Sequence, residues 1–192
     1  MGGRLLAAMA ALIVSACAAV PSAPPPSGPR PARNDIGQFA LAGRVAVRSG
    51  AESFSARIEW THASDGRDEI LITSPLGQGV ARLRADRHGA SVETAEGQRH
   101  DAPNLDALSE QVFGARLPLS QLPRWVVGQV WNAVDGLELD AAGRPLRFSD
   151  QGWTVAYLDY EDAAPEALPT LIRLQRGDLE LRLKVDQWGG LS

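Results

Sequence analysis

The sequence predicts a mainly β chain, an α+β fold in which an antiparallel meander of short strands is interrupted once by two short helices. Three observations predict it. Apolar side chains recur at every second residue through most of the chain, turn signals containing glycine separate these runs, and only two neighbouring segments carry helical spacing instead.

The alternation is clearest near the C-terminus, where Leu179, Leu181, Leu183 and Val185 fall on one face and Glu180, Arg182, Lys184 and Asp186 on the other. Phe54, Ala56, Ile58 and Trp60 alternate in the same way with Ser55, Arg57 and Glu59, and Trp153, Val155 and Tyr157 with Thr154 and Ala156. A side-chain period of two places one face of each strand against a core. Further strands are expected at 39–47, 69–73, 80–85, 90–94 and 171–175. Asp65-Gly66, His88-Gly89, Glu96-Gly97 and Arg176-Gly177-Asp178 are tight-turn signals between neighbours, which makes the pairing antiparallel.

Between the strands at 90–94 and 153–157 the period changes. Leu105, Leu108 and Val112 recur at helical spacing, Asn104 suits an N-cap and Gly114 a C-terminal stop. A second short helix is expected at 120–127, presenting Leu122, Trp125 and Val126 before Gly128. Inserted in a curved sheet, such a pair forms a lid over one mouth of an open barrel, or else covers a sheet face as ordinary core helices. Periodicity does not choose between the two.

Residues 1–37 follow another logic. Arg4 precedes an apolar run of about ten residues at 5–14, well short of the roughly 20 needed to cross a bilayer as a helix, so the run reads as the apolar part of a signal. Val14-Ser15-Ala16-Cys17 follows at once and holds the only cysteine of the chain. An aliphatic residue, two small residues and a cysteine read as a bacterial lipobox, which makes 1–16 a signal peptide and Cys17 the lipidated N-terminus. An ordinary A-x-A cleavage nearby is the alternative. Ala18 stands where an aspartate would retain an enterobacterial lipoprotein at the inner membrane, and so resembles an outer-membrane signal. Residues 17–37 then form a proline-rich tether, whose segment 18–33 spans up to roughly 50 Å at about 3.1 Å per residue as polyproline II. Residues 38–192 are the size of one domain with a substantial core.

The chain has 19 basic and 23 acidic side chains, and loss of residues 1–16 removes Arg4 and leaves 18 − 23 = −5. That balance argues against nucleic acid as a partner. With Cys17 acylated, no thiol remains for a disulfide, and stability must come from packing. His62, His88 and His100 lack metal-site spacing and read as solvated surface residues, so neither a metal nor a cofactor is expected. No G-x-S-x-G elbow, P-loop or thiol nucleophile is present, Gly77-Gln78-Gly79 is an isolated glycine pair, and Asp159, Glu161 and Asp162 read as a charged loop. The expectation is a protein that is not an enzyme.

The turn Ser74-Pro75-Leu76-Gly77 joins the strands at 69–73 and 80–85. Proline at its second position and glycine at its fourth fit a type I turn, which puts Leu76 at the tip. There a leucine either folds back onto the domain or meets a membrane or an apolar partner.

Several segments, in order, carry a resemblance: Phe39-x-Leu41-x-Gly43-Arg44-Val45-Ala46-Val47, the strand at 54–60, Ser74-Pro75-Leu76-Gly77, Gly97-Gln98-Arg99-His100-x-Ala102, Leu117-Pro118-Leu119-x-x-Leu122-x-x-Trp125-Val126-Val127-Gly128, Gly152-Trp153-x-Val155-x-Tyr157 and Lys184-Val185-Asp186-Gln187-Trp188. Together with the lipobox, the series resembles the LolB family of outer-membrane lipoprotein receptors over essentially the whole mature chain. The long proline-rich tether and the arginines at 82 and 84 depart from the family pattern.

The resemblance implies an incomplete antiparallel β-barrel with a short-helix lid over an apolar cavity. It implies a monomer anchored in the outer membrane and facing the periplasm, which accepts acylated lipoproteins from a LolA-like periplasmic carrier and inserts them among the phospholipids of the inner leaflet. Pro75, Leu76 and Gly77 match the family's protruding membrane-insertion loop. Phe54, Ile58, Trp60, Trp153, Tyr157, Leu181 and Leu183 are candidates to line an acyl-chain cavity, and Leu105, Leu108, Leu122 and Trp125 are lid candidates; plain core packing is the alternative for each. Two other classes stay open. A structural envelope-assembly lipoprotein would have a filled core, and a membrane-anchored periplasmic hydrolase would have a polar cleft of converging carboxylates or histidines.

Overall fold

A computed structural model describes residues 30–113, 117–131 and 134–192. Cys17, the signal segment, residues 18–29 and Gly114 lie outside the described residues. The chain order is β1 (Phe39–Ser49), β2 (Glu52–His62), β3 (Asp68–Thr73), β4 (Gly79–Asp86), β5 (Gly89–Thr94), β6 (Arg99–Ala102), α1 (Leu105–Phe113), α2 (Leu122–Val126), β7 (Asp135–Leu139), β8 (Pro145–Asp150), β9 (Trp153–Tyr160), β10 (Pro169–Arg176) and β11 (Leu179–Gly189).

All eleven strands belong to one antiparallel sheet, ordered β6-β5-β4-β3-β2-β1-β11-β10-β9-β8-β7. Two meanders are thus joined where the first strand pairs with the last. β6 and β7 are left as edges, so the barrel is incomplete, and α1 and α2 lie in the connection between those edges. The β1–β11 seam changes register between Ala42 and Gly43, where a Cβ on Gly43 would lie 2.3 Å from the Lys184 carbonyl oxygen. Only glycine tolerates that approach.

Register also defines two ends. Ser49 lies opposite Glu52 in the β1–β2 hairpin and opposite Leu179 at the start of β11, and Thr73 at the end of β3 lies opposite Arg57. The β1–β2, β3–β4 and β10–β11 turns therefore share one end, called here the tip end. Phe39 opposite His62, and Tyr160 opposite Pro169, mark the far end.

The larger apolar cluster runs along the interior faces of β1, β2 and β8 to β11, with Phe39, Trp60, Trp125, Phe148, Trp153 and Tyr157 among its members. Each such side chain contributes roughly 1.5–3 kcal/mol when fully buried, the dominant stabilising effect. A smaller cluster of Leu83, Ala90, Val92, Leu105 and Leu108 lies under α1, which packs on β5 and β6. The Asn104 side chain caps α1 as expected, accepting from the Ala107 N–H at 2.8 Å. The buried stripe of α1 runs through Leu105, Leu108 and Ser109, and Val112 is left exposed. Ser109 is fixed there because its hydroxyl accepts from the Leu117 N–H at 2.8 Å.

β6, β7 and β8 were not expected from the sequence. β6 has only four residues and β7 is exposed on both faces, so neither shows alternation. In β8 the buried residues Pro145 and Phe148 are three apart, which breaks the period of two.

The last residues of the proline-rich stretch are bound to the domain at its far end. Arg30 pairs with Glu161 and Asp162 at 3.3 and 3.0 Å, and Arg33 donates to the Pro165 and Ala167 carbonyls at 2.5 and 3.0 Å. The Gln129 amide donates to the Arg33 and Ile36 carbonyls, and Ile36 is buried in the larger cluster.

Candidate functional site

Inward side chains of the central strands leave a cavity of about 380 Å³, within the roughly 300–1,000 Å³ typical of ligand pockets. β1 contributes Val45 and Val47, β3 Ile70 and Ile72, β10 Ile172 and Leu174, and β11 Leu179, Leu181 and Leu183. The serine and glutamate side chains in its lining, Ser49, Glu52 and Ser53, all belong to the β1–β2 turn region, so the mouth is at the tip end. Phe54 stands on that rim, 49% exposed.

The opposite end is closed by the connection between the edges. Leu117, Leu119, Leu122, Trp125 and Val126 face the cavity from there. The Tyr157 hydroxyl donates to the Trp125 carbonyl at 2.8 Å and ties α2 to β9. Burial holds the Tyr157 phenol well above its usual range, so it stays a neutral donor. Of the two helical roles left open by periodicity, α2 takes the closure and α1 takes the ordinary cover of a sheet face.

Phe54, Ile58, Trp60, Leu181, Leu183, Leu122 and Trp125 therefore line one cavity. Four other candidates do not. Trp153 and Tyr157 are inward but belong to the packed core beside β8 and β9, where the Phe148 ring sits 6.2 Å from Tyr157 and 6.3 Å from Trp125. Leu105 and Leu108 point into the separate cluster under α1. Val45, Val47, Ile70 and Ile72 were missed as lining residues. Their signal was present, since they alternate with outward Ala46 and Leu71.

Trp60 is held by a buried carboxylate. Its indole N–H donates to Asp68 Oδ1 at 2.7 Å, and the same oxygen lies 2.8 Å from His62 Nδ1. Phe39 stacks on the His62 ring at 5.3 Å. His62 is thus a packed partner of Asp68, contrary to the expectation of a solvated residue, while His88 and His100 are exposed.

The turn after β3 has the expected form. The Gly77 N–H donates to the Ser74 carbonyl at 2.8 Å, and Gly77 takes φ of +85°, which places a type I turn before a left-handed glycine. Ser74 N–H and the Gln78 carbonyl close the hairpin at 2.7 Å. Leu76 is 90% exposed at the tip and does not fold back onto the domain.

A shallow polar depression on the outer face, between β2 and β6, is the place to look for acid–base chemistry. Each of its carboxylates is already engaged: Asp101 by Arg99 at 2.8 Å, Glu69 by Arg84 at 3.5 Å, Asp86 by the His88 N–H at 2.7 Å and Asp68 by Trp60 and His62. The Arg99 hydrogen bond holds Asp101 below the usual carboxylate range, which suits a surface ion pair and not a proton donor. Among the described residues no group of His, Cys, Asp and Glu is arranged to hold a metal ion.

Comparison with known proteins agrees with this architecture. A family model described as outer membrane lipoprotein LolB matches residues 37–188. A protein of Azoarcus sp. (strain BH72) named outer-membrane lipoprotein LolB is 43% identical over 184 residues, covering 95% of this chain and 93% of its own. A protein of the same name from Dechloromonas aromatica is 36% identical over 183 residues, covering 92% and 94%. Among solved structures, a DUF1329 family protein from Desulfovibrio piger superposes with a TM-score of 0.50 at 11% identity, over 83% of this chain and 86% of that one, a likeness of fold alone. Matched across its strands, its turn and its helical connection, the chain belongs to the outer-membrane lipoprotein LolB family.

Proposed function

We propose that this protein is the outer-membrane receptor of a lipoprotein-localisation system, taking acylated lipoproteins from a LolA-like periplasmic carrier and delivering them to the inner leaflet of the outer membrane. One observation carries the reading: the apolar cavity opens at the same end of the barrel that presents Leu76 to solvent. An acyl chain in water costs about 0.8 kcal/mol per methylene, so a chain of about 15 methylenes costs on the order of 12 kcal/mol. Passage from one apolar cavity to another avoids that cost and needs no covalent step. Direction comes from graded affinity, tighter than the carrier and weaker than the bilayer.

The mouth receives the chain between Phe54, Val47 and Leu181, and the Leu76 tip engages lipid at release. Cys17, as the acylated residue, ties the monomer to the same membrane through residues 18–29.

The test is transfer of a labelled, acylated lipoprotein from its purified carrier to the chain from Arg30 onward, followed by liposomes. The expected result is movement of label to this protein and then into the liposomes. A folded protein that takes no label from its cognate carrier would overturn the reading.

A further inference from the structure

The outer face of the sheet sorts its charges in two different ways. Over β3 to β6, opposite signs face each other: Glu69 lies opposite Arg84, and Glu93 opposite both Arg82 and Arg99. Over β2, β1, β11 and β10, like signs face each other at three places, Arg57 opposite Arg44, Arg44 opposite Lys184, and Arg182 opposite Arg173, while Arg48 opposite Glu180 is a pair of unlike sign. Neighbouring strands are only about 4.8 Å apart, and like charges directly opposite destabilise a sheet. A net negative chain has thus collected repelling cations on its central strands, where neutral side chains would be more stable.

With Arg48, the area holds six cations against two carboxylates, Glu180 and Asp186, with Glu59 at its far-end border. Asp186 is taken by Arg44 at 2.7 Å, and Glu180 is shared by Arg182 and Arg48 at 2.9 and 3.6 Å. Among the described residues, Arg57, Arg173 and Lys184 have no ion-pair partner. The area also has a definite neighbour. Arg57 lies opposite Thr73, three residues before Leu76, and Arg48 is next to the end of β1, so the cations run up to the tip end.

We propose that this basic face is a docking surface for an anionic phospholipid membrane, which lays the outer side of β2, β1, β11 and β10 against the headgroups while the adjoining Leu76 tip enters the bilayer. It rests on the membrane-delivery reading and names the lipid class that this reading leaves open. A basic face next to an exposed apolar tip is the combination that binds an interface, because apolar insertion and attraction to anionic headgroups add. Each cation near such a surface strengthens binding roughly fivefold, so the three unpaired ones together contribute on the order of 100-fold, and salt screens it.

The test uses the full lipidated chain in vesicles of phosphatidylcholine with or without phosphatidylglycerol. A fluorophore on Ser55→Cys, an exposed outward position beside Arg57, is quenched by headgroup-labelled lipid when the face lies on the membrane. Quenching should rise strongly with phosphatidylglycerol and vanish at high salt. The triple variant Arg57→Gln, Arg173→Gln, Lys184→Gln should lose that rise yet still deliver cargo to phosphatidylcholine vesicles, and Asp186→Asn, which frees Arg44, should enhance it. Equal quenching with and without phosphatidylglycerol, or a triple variant like the parent, would overturn the proposal. So would quenching changes that appear only on adding the carrier, which would assign the face to an acidic protein. Absence of cargo delivery by the parent to any vesicle would be a failure of the delivery reading itself.

Discussion

Replacing Leu76 by serine separates the tip from everything else the domain does. The side chain is 90% exposed, and the turn is held by Gly77 N–H to the Ser74 carbonyl and Ser74 N–H to the Gln78 carbonyl, none of which uses it. Folding stability should therefore change by no more than about 0.5 kcal/mol. The cavity lies inside the barrel and Leu76 is not part of its lining, so uptake from the carrier should be unchanged. The loss falls on membrane engagement. Burying a leucine side chain contributes roughly 1.5–3 kcal/mol, equivalent to about a 10- to 150-fold weaker insertion of the tip when it is absent. Leu76→Glu adds the cost of bringing a carboxylate to the lipid and should slow release further. The assay loads the protein with labelled lipoprotein and follows its appearance in liposomes. Release by Leu76→Ser at the parental rate would refute the reasoning, as would a variant that melts early or fails to load.

Asp68→Ala strips the Trp60 indole N–H of its acceptor inside the core and should cost about 1–3 kcal/mol, read as a lower urea midpoint. Val47→Trp places bulk in the cavity near its mouth, and should reduce cargo uptake severalfold while leaving the melting temperature close to that of the parent. Hydrogen bonds from the Arg144 backbone, the Arg44 side chain and the Ala164 backbone hold Asp140, Asp186 and Asp162 below the ordinary carboxylate range. Their contribution is present above the unfolded value near 3.9 and lost as pH falls through the lower folded values, so urea midpoints should be level from neutral pH to about 5 and drop below about 4. The docked Arg30 also sets a reach: from Cys17 to Arg30 the chain spans at most about 45 Å, against about 36 Å for the length of β1. Deleting most of residues 18–29 should then abolish delivery by the anchored protein into its own membrane and spare delivery by the unanchored form.

The sequence made the strands legible wherever one face is buried and the other wet, as in 179–185 and 54–60, because a period of two has no other cause there. It was silent at β6, β7 and β8, where edges and a proline remove that contrast. The turn at Ser74 was legible to the residue because proline and glycine each fix a backbone angle, whereas the exposure of Leu76 needed the fold. Inward direction was legible for Trp60 and Trp153 alike, but the line between cavity wall and filled core was not. It depends on the Phe148 and Tyr157 rings filling the interior beside β8 and β9 while the side chains of β1, β3, β10 and β11 leave space between them, a matter of volume across strands distant in sequence. His62 was misread for a related reason. Its partner Asp68 is reached across the β2–β3 turn, and its ring cover, Phe39, comes from another strand.

The central claim is that the acyl chain travels inside the barrel. A lipoprotein carrying a photoactivatable acyl chain, passed from its carrier to this protein and irradiated before and after liposomes are added, tests it most directly. Cross-links should form with Val45, Ile72 or Leu181 before liposomes and disappear afterward. Cross-links confined to the outer face, or none with a folded protein and an active carrier, would contradict it.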